Sequence, residues 1–244
     1  MIFLNIKTTD VLTIAGQRGT GKSTLLRMIA RAAKKIIVYD PLFEHGMLGV
    51  PTGNVNDVRQ LDRVVYQPLK NDEEEFEKFC KAAWEKDNVI VFVDECDEHA
   101  DLYCLPTYFG RLVRLGRHKG IGVVAITRRI ANLNKTVPAL SQHIISFRQM
   151  LPNDISYLAD FMGWKNASQL RDLPDYHYLD YDGRTGAIDV TKPDRQQPVQ
   201  EIGKDREKKG KKIEGKTQDE MGEIQSKKKE SVKDYKEATE KGFF

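Results

Sequence analysis

The sequence predicts an α/β fold built on a mostly parallel sheet with helices on both faces. Short β-branched runs alternate with longer helical patterns, and the runs are continuously apolar, as strands covered on both faces are. A glycine-rich turn, GQRGTGKST at 16–24, joins the first such run to the first helical pattern.

Strands are expected at VLTIA (11–15), IIVYD (36–40), VVYQP (64–68), VIVFVDE (89–95), GVVAIT (122–127) and HIISF (143–147). Helices fit between them at 22–35, 73–86 and 106–119, the spacing of βαβ units. The second helix opens with DEEEFE from Asp72 and closes near Lys81 and Lys86, charges that complement its dipole. After Leu151 a helix starting at proline, with Asp154 in its first turn, precedes a shorter helix near 166–172. YHYLDY (176–181) and AIDV (187–190) flank DGRTG and read as a hairpin. No internal repeat is present.

Residues 1–191 are expected to form one domain and residues 192–244 a charged, disordered tail, at most partly helical around 217–241. The tail holds 15 Lys+Arg and 12 Asp+Glu of the chain's 39 and 36, so the body is neutral, with 24 of each. A bulk basic field is therefore excluded, and any nucleic-acid contact must come from local patches. The lysine clusters at 208–212 and 227–229 are interspersed with acids and read as solvated, with DNA or a capsid protein as alternative partners. Cys80, Cys96 and Cys104 form no C-x-x-C pair, which suits a reducing compartment. No apolar run approaches the ~20 residues of a membrane span, and the expected location is cytoplasmic.

GQRGTGKST matches G-x-x-x-x-G-K-[ST] in the strand-to-helix context that a phosphate-binding loop requires. The nucleotide-binding stretch is therefore Gly16, Gln17, Arg18, Gly19, Thr20, Gly21, Lys22, Ser23 and Thr24. Its glycines allow amides to point at phosphate oxygens, and the following helix adds its positive end. Lys22 is expected on the β- and γ-phosphates and Ser23 on Mg²⁺. At the end of VIVFVDE, Asp94 is expected to hold the metal and Glu95 to polarise water for in-line attack. A bare strand cap is the bland reading of that Asp-Glu pair. Asp97 and Glu98 read as solvated helix-start residues, and His99 as a surface side chain. A Glu beside the metal carboxylate favours hydrolysis over transfer to a bound hydroxyl, and no N-K-x-D motif is present, so ATP is expected over GTP.

The order GQRGTGKST, VIVFVDE, RLGRHKGIGVVAITRR resembles the FtsK–HerA superfamily of P-loop ATPases, and most resembles the small genome-packaging ATPases of internal-membrane icosahedral viruses. The likeness spans about residues 8–190 and implies a RecA/ASCE-like fold, Mg²⁺-ATP hydrolysis, and a hexameric ring that pumps double-stranded DNA. It implies host-cytoplasmic or virion-associated placement, with a capsid or membrane protein as anchor at a vertex. Arg117 sits where that family keeps a basic residue near a neighbouring subunit's nucleotide; Arg111 and Arg114 are alternatives for the same finger, since the three share a helix face at that spacing. The family ends its sensor strand in Thr-Gln or Ser-Gln, whereas this chain has Thr127, Arg128 and Arg129. Arg128 is thus expected to meet the γ-phosphate, or Thr127 alone to sense it. A nucleotide-driven assembly or secretion ATPase is the main alternative, and a small-molecule kinase with an arginine lid is disfavoured by the adjacent Asp94 and Glu95.

Overall fold

A computed structural model describes residues 6–191; the tail expected over 192–244 lies outside the described residues. In chain order the strands are β1 (Val11–Ala15), β2 (Ile36–Tyr39), β3 (Val50–Thr52), β4 (Arg63–Tyr66), β5 (Ile90–Val93), β6 (Gly122–Thr127), β7 (His143–Ser146), β8 (Tyr178–Asp182) and β9 (Ile188–Thr191). The helices are α1 (Lys22–Ala32), α2 (Val55–Gln60), α3 (Glu73–Trp84), α4 (Thr107–Leu115), α5 (Thr136–Ala139), α6 (Pro152–Met162) and α7 (Trp164–Ala167). All described strands join one sheet in the order β3-β4-β2-β5-β6-β1-β7-β8-β9. Its pairs are parallel from β3 to β7, and β8 and β9 add antiparallel, as the expected hairpin.

Side chains alternate across each strand, so consecutive apolar residues serve opposite faces. Leu12, Ile14, Ile36, Val38, Phe92 and Val124 pack against Leu25, Leu26 and Ile29 of α1. Ile37, Tyr39, Val91 and Val123 point the other way, onto Phe76 and Phe79 of α3 and Phe109 and Leu112 of α4. Further along that face, Ala15 and Ile144 lie under Ile155, Leu158 and Met162 of α6. The continuous apolar strands are thus explained by double coverage. Helix α3 starts as expected, with Asp72 accepting from the Glu75 amide at 2.9 Å.

Three elements escaped the periodicity, one of them the four-residue α5. β3 is three residues long and carries Pro51, tolerated because the strand lies at the sheet edge. α2 has six residues, capped by Asn54 accepting from Asn56 N. The helix expected at 106–119 ends at Leu115 and continues as a 3-10 turn over Gly116–Lys119. Gly116 lies so close to Ile121 that an added Cβ would sit 2.9 Å from its carbonyl oxygen. Arg117 therefore leaves the helix that carries Arg111 and Arg114, and the expectation that the three share one helix face is corrected.

The last parallel strand is tied to the hairpin by a buried pair, His143 Nδ1 to Asp180 Oδ1 at 3.1 Å. Burial lowers the His143 pKa, but the carboxylates of Asp180 and Asp182 together outweigh it and raise it above the ordinary histidine value. A raised folded-state pKa contributes stability that is complete below the unfolded value and is lost as pH rises through the folded one. Urea midpoints should fall between mildly acidic and mildly alkaline pH, and His143→Gln should flatten that fall.

Candidate active site

Strand β6 lies between β1 and β5, with Thr127 opposite Ala15 and Ala125 opposite Val93. The phosphate loop leaves β1 and the Asp94–Glu95 pair leaves β5, so residues 16–24, 94–95 and 127–128 meet at one edge of the sheet. Gly16, Gly19 and Gly21 all have positive φ, at 153°, 80° and 122°. A Cβ on Gly16 would stand 2.6 Å from the Phe147 Cβ, which fixes glycine there. Gly21 opens α1 with no side-chain cap and no acid in the first turn. The first amides of that helix are therefore available to an anion.

Lys22 is buried, and its Nζ donates to the carbonyls of Gly16 at 2.7 Å and Gln17 at 3.0 Å. Burial pulls its pKa below the ordinary lysine value, against the attraction of Glu95 and Asp94. Thr20 is buried and closes the loop on Gln17 O, whereas Arg18 is exposed and Ser23 and Thr24 are half-buried. Two remote segments buttress the loop: Gln17 N donates to Arg148 O, and Tyr176 N to Thr20 O. Tyr176 holds φ 64°, and its ring would meet a Cβ on Gly21 at 3.0 Å.

Asp94 and Glu95 are both buried. Asp94 Oδ1 accepts from the Glu95 amide at 3.1 Å, and Oδ2 lies 3.0 Å from His45 Nε2. Burial and the neighbouring Asp94 raise the Glu95 pKa, and Arg128 opposes them. Arg128 donates to Glu95 Oε1 from Nε at 2.8 Å and lies 2.7 Å from it at Nη2. Burial likewise raises Asp97, which is half-buried. His45 carried no signal in the sequence: it is fully buried after β2, delivered by Asp40, whose carboxylate accepts from the amides of Glu44 and His45. Ligand atoms of Glu44, His45 and Asp94 lie within 4.8 Å of one another. The histidine acts on Asp94 as an outer partner that orients a carboxylate.

One sequence expectation changes here. His99 is a core residue, not a surface one: it stacks on Phe76 at 4.4 Å and pairs with Asn71 Oδ1 at 2.8 Å. Arg129 turns from the phosphate loop to Asp154, which is fully buried and also accepts from Ala131 N. Asp154 is thus a buried anchor for the end of β6 as well as a first-turn acid. Arg111, Arg114 and Arg117 are exposed on the single chain, with Arg111 4.9 Å over the Tyr108 ring.

This strand order, with a phosphate loop on β1 and an acidic pair on β5, defines a P-loop NTPase fold of the RecA/ASCE-like kind. No family model matches the sequence, and no curated protein matches it. Among solved structures, the genome packaging NTPase B204 of Sulfolobus turreted icosahedral virus 2, in complex with ATP-gammaS, is similar with TM-score 0.71 and 22% identity over 77% of this chain and 99% of that one. The DNA-packaging ATPase B204 of Sulfolobus Turreted Icosahedral Virus gives TM-score 0.67 at 22% identity, over 77% and 99%. VirB4 of Thermoanaerobacter pseudethanolicus gives 0.56 at 12%, over 75% and 89%. The resemblance to small viral genome-packaging ATPases therefore holds at the level of the fold.

Removing the buried Asp154 carboxylate leaves the half-buried Arg129 side chain and Ala131 amide without their acceptor. Asp154→Ala should cost about 2–4 kcal/mol, measured by urea denaturation, and Asp154→Asn distinctly less.

Proposed function

We propose that this chain is an ATP-hydrolysing motor that translocates double-stranded DNA and packages a viral genome into a capsid. The observation that carries the hydrolytic part is the convergence of Lys22 in its phosphate loop with the buried Asp94–Glu95 pair across β6. The phosphate loop binds the nucleotide through amides and Lys22, and Glu95 takes a proton from the attacking water. Ser23 and Asp94 supply the hard oxygen donors that suit Mg²⁺, and His45 on Asp94 keeps one of them oriented. Mg²⁺ held by Ser23 and Asp94 would supply positive charge to offset that of the phosphates.

Translocation and packaging rest on the fold shared with the two B204 proteins and on the exposed arginines. In a ring, a guanidinium from the next subunit would link hydrolysis to motion. Arg117, or Arg111 or Arg114, supplies it. Among the described residues no helix is long and apolar enough to cross a membrane. The anchor in this reading is a capsid or membrane protein at the vertex, in the host cytoplasm or on the virion.

ATP turnover by the full chain should rise when long double-stranded DNA is added. Glu95→Gln should lower turnover by about 10²-fold or more while nucleotide binding persists; a turnover indifferent to DNA would sink the translocase reading. Removing a trans-acting finger costs about 10³–10⁵ in rate, so mixing inactive Arg117→Ala with inactive Glu95→Gln subunits should restore activity. Absence of complementation for all three arginines would refute the shared site.

A further inference from the structure

Glu95, the base of the proposed reaction, is already engaged. Its Oε1 takes two contacts from one guanidinium, Nε at 2.8 Å and Nη2 at 2.7 Å of Arg128. Its backbone stands in the left-handed region at φ 49°, a conformation that non-glycine residues seldom adopt. The partners differ in exposure: the Glu95 side chain is 10% exposed and that of Arg128 45%. Arg128 therefore reaches in from the rim and has room to move, while the carboxylate is fixed.

The register shows what else Arg128 can reach. Thr127 pairs with Ala15, so Arg128 follows beside Gly16, where the phosphate loop begins. Lys22 lies within electrostatic reach of both Glu95 and Arg128. One guanidinium thus holds a carboxylate of its own chain and stands beside the start of the loop where, on the hydrolytic reading, the terminal phosphate would meet Lys22. A guanidinium binds either anion through its fork, and the terminal phosphate carries the larger charge. A glutamine at this position, as in the family that the sequence resembles, forms no ion pair with Glu95, so the competition belongs to this chain.

We propose that Arg128 restrains Glu95 until the third phosphate of a bound nucleoside triphosphate takes the guanidinium, so that the base is released only when there is a bond for water to attack. Arg128 then discriminates triphosphate from diphosphate through a competition inside the site. The proposal rests on the hydrolytic reading of the same site.

The test is a binding cycle without turnover, using ATPγS and ADP with Mg²⁺ on the full chain, Glu95→Gln, Arg128→Gln and the double variant. Glu95→Gln should tighten ATPγS by about tenfold, equivalent to about 1.4 kcal/mol, and leave ADP unchanged. In the Arg128→Gln background the same change should bring less than about twofold, the coupling of a shared partner having gone. Equal tightening in both backgrounds would mean that Glu95 merely repels phosphate, and would overturn the proposal. Retained ADP binding reports that each variant is folded; if Arg128→Gln loses it, Arg128→Lys carries the same comparison, with an expected gain below that in the parent. A parent chain that binds neither nucleotide removes the hydrolytic reading itself, whereas binding without coupling removes only the role of Arg128.

Discussion

Parallel pairing of β6 with β1 on one side and β5 on the other is the constraint on which the site depends. In a parallel sheet all strands end at the same edge, so loops distant in sequence emerge side by side there. Gly16 follows Ala15, Asp94 follows Val93, and Arg128 follows Thr127 between them. A shift of one residue in either pairing would turn the apolar side chains of β6 to the wrong face, so the two cores hold the register. Packing of Val123, Val124, Ala125 and Ile126 thereby sets the spacing of Gly16, Asp94 and Arg128.

That edge buries Lys22, Asp94 and Glu95, and the chain answers by pairing. Glu95 meets Arg128, Asp94 meets His45, Arg129 meets Asp154, and Lys22 bonds to its own loop. Unpaired, each buried charge would cost several kcal/mol. The pairs are unequal in consequence. Asp154 and Arg129 fasten β6 to α6, whereas in the proposed reaction the partners of Glu95 and Lys22 are ones that a nucleotide would replace. Stability and reactivity are thus divided between adjacent arginines.

Polar networks behind the site extend this logic. Asn71 joins the Tyr39 hydroxyl, His99 and Glu98. Asp40 gathers two amides and Gln67 Nε2 into the turn that carries His45. These networks hold the connection between β4 and α3 to the segments that follow β2 and β5, where His45 meets Asp94.

The sequence by itself determined the parallel sheet, the phosphate loop and the acidic pair, because each is local: apolar runs of strand length, glycines at fixed spacing, and two carboxylates at a strand end. It also placed Thr127 and Arg128 at the end of β6. Only the tertiary structure decided partners. His45, Tyr176 and Arg148 reach the site across long stretches of chain, His99 is buried because α3 presents Phe76 to it, and Asp154 is an anchor because α6 packs beside the end of β6. Short β3 and α2 were invisible because three to six residues hold too little periodicity to register. Which arginine meets which carboxylate depends on side-chain reach across strands, and spacing along the chain does not encode it.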